Sequence, residues 1–127
     1  MNALDWSRWP NFKPEEFRCR HTGGLVMRPE FLDILQAIRT EYGKPMRVTS
    51  GYRHPSHPAE AGKSRSGEHS YGTAADIACE GADAVLLLRI ALKHGITRIG
   101  VQQTGSGRFL HLGIGAPGLP NPTIWSY

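Results

Sequence analysis

His69, Asp76 and His111 have the side-chain types that bind transition metals, and they recur at the edges of apolar stretches in an otherwise polar-punctuated chain. Two imidazoles and one carboxylate fill three positions of a tetrahedral zinc ion and leave the fourth for water, the arrangement of catalytic rather than structural zinc sites. Residue type alone does not single them out. The chain contains six His, and an Asp that caps a backbone turn beside a His packed in a sheet is the simpler alternative. The elements around them must bring the three together.

Those elements follow from periodicity. Phe12-Lys-Pro-Glu-Glu-Phe17 suits a brief helical turn, with Pro14 and two acids at its start. Pro29 opens an amphipathic helix in which Phe31, Ile34, Leu35, Ile38 and Tyr42 share one face, and Gly43 and Pro45 stop it. Met46 to Ser50 reads as a short strand that runs into Gly51-Tyr52-Arg53. From His54 to Ser70 the Pro, Gly and polar content predicts one long loop, and loops of that length in compact domains usually serve a site. Thr73 to Cys79 predicts a strand with Ala74, Asp76 and Ala78 on one face. Ala84 to His94 predicts a buried helix capped by Asp83 and closed by Gly95. Ile96 to Gln102 and Arg108 to Ile114 predict a hairpin around Thr-Gly-Ser-Gly, with Phe109, His111 and Gly113 on one face of its second strand. The Pro-rich tail ending in Ile124-Trp-Ser-Tyr127 is expected to pack as irregular structure. This order of elements argues for an α+β fold: one antiparallel sheet with helices packed on one face.

With 127 residues, a single domain over 1–127 is expected. Hydrophobic residues at 39% exclude a disordered chain, and no apolar run approaches the roughly 20 residues a membrane span needs. The densest run, Ala82 to Leu92, is broken by Asp83 and Arg89. The segment Met1 to Trp6 has no basic stretch followed by an apolar one, so no secretory signal is expected and the protein should stay cytoplasmic until something releases it. Cys19 and Cys79 are too few for a disulfide framework or a thiolate zinc site and are expected to be reduced. The net charge is +4. Its basic residues are scattered apart from Lys63-Ser-Arg65, which argues against nucleic acid and suits an anionic cell wall as well as it suits solubility.

The wording around the metal-type residues is more specific. His69-Ser-Tyr-Gly-Thr-Ala-Ala-Asp76, preceded by Ser50-Gly-Tyr-Arg53 and followed by Phe109-Leu-His111-Leu, resembles the zinc peptidases of the D-alanyl-D-alanine carboxypeptidase (M15) family. The Phe-x-x-x-Glu-Phe opening and the Pro-x-x-Ile-Trp-Ser-Tyr ending are similar to its small phage-type members, so the resemblance spans most of the chain. It implies the Hedgehog/DD-peptidase fold, one zinc per chain held by His69, Asp76 and His111, and hydrolysis of peptide bonds in bacterial peptidoglycan by a monomer, for lysis or as a virion-associated enzyme. By the same resemblance Arg53 holds a substrate carboxylate or polarises its carbonyl, a role its planar guanidinium suits. Tyr52 and Tyr71 are candidates to line the cleft or to pack in the core. Two departures matter, and the smaller is that Gly67 stands where a Ser often precedes the first zinc His by two residues, with Ser66 one step earlier. Family members commonly carry an acid a few residues before the last zinc His or two after it, and here Arg108 and Gly113 stand there. Glu68 is then the nearest acid and the candidate general base, with Glu60 in reserve and His54 or His57 after it. Adjacent residues on an extended chain point opposite ways, so Glu68 joins His69 only if the backbone turns. A zinc-binding module without catalysis is the rival function, and a basic structural or nucleic-acid-binding protein is a weaker one.

Overall fold

A computed structural model describes residues 4–64 and 66–127. Positions 1–3 of the N-terminal segment and Arg65 of the basic segment lie outside the described residues. Among the described residues, three helices, α1 (Pro29–Tyr42), α2 (Pro58–Ala61) and α3 (Gly81–Lys93), accompany five strands: β1 (Arg47–Ser50), β2 (Ala74–Ala78), β3 (Arg98–Gln102), β4 (Phe109–Gly113) and β5 (Thr123–Ser126). Short 3-10 turns at Trp6–Arg8, Pro14–Phe17 and Glu68–Tyr71 complete the fold.

The strands form one sheet in the order β1-β2-β4-β3-β5. All pairs are antiparallel except β3 and β5, which run parallel. The expected α+β class therefore holds, with one correction: the tail adds a strand. Its Pro-rich approach delivers Thr123-Ile-Trp-Ser to the free edge of β3, where Thr123 N–H donates to Thr97 O at 3.0 Å. Pairing there satisfies edge groups that would otherwise remain open, and β-branched and aromatic residues suit it.

Strand alternation separates a core face from a site face. Ala75, Ile77, Leu110 and Leu112 are buried in the same core as Phe31, Leu35 and Ile38 of α1 and Leu87 and Ile90 of α3. Each fully buried Leu or Phe contributes roughly 1.5–3 kcal/mol relative to exposure. Asp76 and His111, between those apolar positions, are consequently turned to the opposite face. α1 begins with Pro29 at its first position and stops at Gly43, whose φ of 70° is left-handed. α3 begins earlier than its apolar pattern suggests, with Glu80 rather than Asp83 at its N-cap. Asp83 instead pairs with Lys44 at 2.5 Å, linking α3 to the chain after α1.

The segment expected as one loop, His54 to Ser70, holds two elements. His57 accepts the Ala59 N–H at 2.9 Å through Nδ1, and Pro58 occupies the first turn, so α2 forms. The second is the 3-10 turn Glu68–Tyr71, closed by Gly72 at φ 73°. That left-handed residue reverses the chain into β2.

Candidate metal centre

The three metal-type side chains converge. Asp76 and His111 are direct cross-strand partners on β2 and β4, and the Glu68–Tyr71 turn carries His69 over the same face. The atoms that meet are His69 Nε2, Asp76 Oδ1 and His111 Nδ1. They are separated by 3.2 Å between the imidazoles, 3.3 Å from His69 to Asp76 and 3.0 Å from His111 to Asp76. Zinc bonds of about 2.0–2.1 Å at tetrahedral angles place ligand atoms roughly 3.3 Å apart, so this triangle fits zinc without rearrangement. The three residues are 3–5% exposed, and clustering three such groups away from water is costly unless they share a proton or a cation.

Each imidazole has its remaining nitrogen engaged. His69 Nδ1 lies 2.7 Å from the Gly51 carbonyl oxygen. Gly51 is required there because a Cβ would stand 2.6 Å from Phe17 Cα. His111 Nε2 lies 2.5 Å from Glu68 Oε2. Such outer partners fix ring orientation and tautomer, and they are regular companions of metal-binding His.

The charges are mutually supporting. Burial opposes ionisation of Asp76, but hydrogen bonds from His111 and His69, and their charge, hold its carboxyl well below the usual carboxylate range. Burial disfavours the imidazolium of His111, and Asp76 and Glu68 outweigh it, raising its pKa. Glu68 is likewise lowered, burial being overcome by His111 and Arg98.

Glu68 lines the same cleft as the triad, with its carboxylate against the ring of His111. The backbone does turn at this point, as Glu68 and His69 both lie in the 3-10 turn, and the carboxylate meets His111 Nε2. Oε2 also accepts from Arg98 Nε at 2.9 Å, and Oε1 accepts from the Gly115 N–H at 3.0 Å.

A cleft of about 290 Å³ opens over the triad. Arg53 stands at its rim, with Nε 3.2 Å from Ser50 Oγ, one terminal nitrogen 3.3 Å from Glu60 Oε2 and the other 3.5 Å from Asp76 Oδ2. Glu60, on α2, has a side chain only 1% exposed and also receives Lys63 Nζ at 3.2 Å and the Gly67 N–H at 2.8 Å. Burial is overcome by Gly67, Lys63 and Arg53, which lower its pKa. Other candidates are elsewhere. His54 turns to Ser56, the ring of His57 packs near His21, Tyr52 is buried in the core, and Arg108 donates to Gly105 O.

Sequence reasoning missed three lining residues, Arg98, Trp125 and Tyr127. Trp125 lies 4.9 Å from the His111 ring and 5.0 Å from the Arg98 guanidinium carbon. The space for it exists because Gly100, opposite both His111 and Trp125, has no side chain. A Cβ at Gly100 would meet Trp125 Nε1 at 2.7 Å and the Tyr127 hydroxyl at 2.8 Å. A charged residue in the apolar run Ile96 to Val101 was the available signal for Arg98.

Among comparisons with known proteins, the model of the Peptidase M15 family matches residues 10–113. No curated protein matches the chain.

Proposed function

The chain belongs to the peptidase M15 family, and from that premise we propose that it is a zinc-dependent hydrolase of peptide bonds in bacterial peptidoglycan. The observation that carries the metal part of this reading is the buried triangle of His69 Nε2, Asp76 Oδ1 and His111 Nδ1 at the floor of a cleft. When bound, zinc supplies Lewis acidity, polarising the scissile carbonyl and acidifying water.

The chain's own residues supply binding and proton transfer. Arg53 anchors a carboxylate of the substrate peptide, since its guanidinium borders the cleft and lies within 3.5 Å of Asp76. Besides Asp76, two carboxylates line the cleft, Glu68 and Glu60; with Glu68 committed to His111 and Arg98, Glu60 takes the proton from water and passes it to the leaving amine. In the free protein Arg53 and Lys63 share its Oε2, which suppresses its basicity. A substrate carboxylate that captures Arg53 weakens that hold and makes Glu60 a better proton acceptor. Trp125 and Tyr127 line one side of the cleft. Release to the wall from the cytoplasm, as a lysis or virion-associated enzyme, is the setting this chemistry suits.

The test is zinc content combined with mass spectrometry of muropeptides before and after incubation of purified peptidoglycan with the protein. The expected result is near one zinc per chain and new cleavage products that chelation abolishes. Glu60→Gln should retain zinc while turnover falls by about 10²- to 10⁴-fold, the usual contribution of a general base. Tight zinc binding with no turnover on any wall substrate would favour a binding module, a reading that Gly113 and the outward-turned Arg108 support.

A further inference from the structure

We propose that Glu68 is the positioning residue of ligand His111, and that Gly113 is the vacancy that admits it. The inference rests on the zinc-site reading above and assigns Glu68 a role distinct from ligation and proton transfer. Gly113 follows His111 on the same face of β4. The three heavy atoms nearest to where a Cβ on residue 113 would stand are the carboxyl carbon and both oxygens of Glu68. They lie inside van der Waals contact of that point, so any side chain at 113 expels the carboxylate. The Glu68 carboxylate thus occupies the volume that an acidic side chain on residue 113 would fill from the strand itself.

Three contacts hold it there: His111 Nε2 at 2.5 Å, Arg98 Nε at 2.9 Å and the Gly115 N–H at 3.0 Å. Arg98 is itself anchored, donating to Pro120 O and packing over Trp125. An ionised carboxylate only accepts hydrogen bonds, so His111 Nε2 must carry its hydrogen and Nδ1 is the nitrogen left for the metal. The ring orientation that aims Nδ1 at Asp76 is therefore set by Glu68, a residue on a different element from the ligand it holds.

This predicts a reciprocal pattern in zinc affinity, measured by competition with a chromophoric chelator, with Co²⁺ absorption as an independent report on ligand geometry. Glu68→Ala and Gly113→Ala should each weaken zinc binding by about 10- to 100-fold, the usual effect of losing a ligand's supporting partner. Neither removes a ligand. Gly113→Asp alone should also weaken binding, because two carboxylates then compete for one volume. The double variant Glu68→Ala/Gly113→Asp should regain at least about tenfold over Glu68→Ala, since the carboxylate returns from the strand side. Metal-free thermal melts identify any variant that fails to fold; if Glu68→Ala does, the Gly113→Ala and Gly113→Asp affinities decide. Wild-type affinity in folded Glu68→Ala, unchanged affinity in the Gly113 variants, or a double variant no better than Glu68→Ala would each overturn the positioning role. Failure of the wild type to bind zinc would instead overturn the site reading on which this role rests.

Discussion

Arg53→Ala separates the proposed anchor for substrate from the partner of a buried acid that the structure shows. Its guanidinium lies 3.3 Å from Glu60 Oε2, whose side chain is 1% exposed, and 3.5 Å from Asp76 Oδ2. Removing it leaves Glu60 with Lys63 and the Gly67 N–H, so the acid is under-satisfied rather than orphaned. A lost hydrogen bond at a buried charged group costs about 1–3 kcal/mol. With an unfolding entropy of about 2.1 cal/mol/K per residue over 127 residues, that lowers the melting temperature by roughly 4–11 °C. The fold should survive at assay temperature. The substrate role is then read by pairing the substitution with a change in the substrate: a wall peptide with a free C-terminal carboxylate against its C-terminal amide. If Arg53 binds the carboxylate, wild type should prefer the free acid by about 10- to 150-fold in kcat/KM, equivalent to the roughly 1.5–3 kcal/mol of a charge-assisted hydrogen bond. Arg53→Ala should lose that preference while retaining zinc. A preference of the same size in the variant would show that Arg53 acts through Glu60 and Asp76 alone, and the anchoring role would be refuted.

Zinc at a thousandfold excess over its Kd should stabilise the protein by about 4.1 kcal/mol, or roughly 15 °C by the same entropy, and a chelator should reverse the shift in differential scanning calorimetry. Asp76→Asn should weaken zinc by more than the roughly 10- to 100-fold expected for a supporting residue, because a ligand charge is lost as well; equal affinity would remove Asp76 from the ligand set. Glu60 has a folded pKa below its ordinary value of 4.5, so its ionised form adds stability above that value, and the gain is lost as pH falls toward the folded value. Chemical denaturation of wild type and Glu60→Gln should therefore differ by a constant amount above about pH 5.5 and converge in more acidic buffer. Cys19 and Cys79 are unpaired, and burial pushes the Cys79 thiol up to about 11. A reducing agent should leave the melting temperature unchanged, and two thiols should titrate after denaturation.

The candidate triad was legible because the wording around it resembles the family's motif, and strand pattern added to that signal. Asp76 and His111 break apolar alternation in two strands, and the breaks sit on the faces that later meet. Register was not legible, because which strand residue lies opposite which depends on turns and edge pairing rather than on either strand alone. Glu68 shows the same limit at closer range. Its adjacency to His69 suggested a role at the site, but the side on which it stands is set by the 3-10 turn and by the space at Gly113. Trp125 was hidden for another reason. Its Pro-rich approach reads as irregular chain, and only the open edge of β3 turns the last residues into a strand. Arg98 needed the tertiary context that makes a charge on a central strand the partner of a buried acid.

The fold divides the site into a frame and a rim, and the division has a functional consequence. Asp76 and His111 stand on two interior strands whose ladder continues on both sides, and His69 is tied by Nδ1 to the Gly51 carbonyl next to β1. None of those constraints depends on substrate. Arg53 and Glu60, by contrast, meet through α2, a single short turn in the segment after β1, and their contact competes with the anion that Arg53 would bind. A ligand frame on the sheet can hold a metal before substrate arrives, because the cost of assembling it is met by the sheet's own pairing and core. Substrate discrimination can then reside in the weaker contacts of the rim. Substitutions in α2 should accordingly alter kcat/KM with little change in zinc affinity, whereas substitutions on the site face of β2 or β4 should change both together.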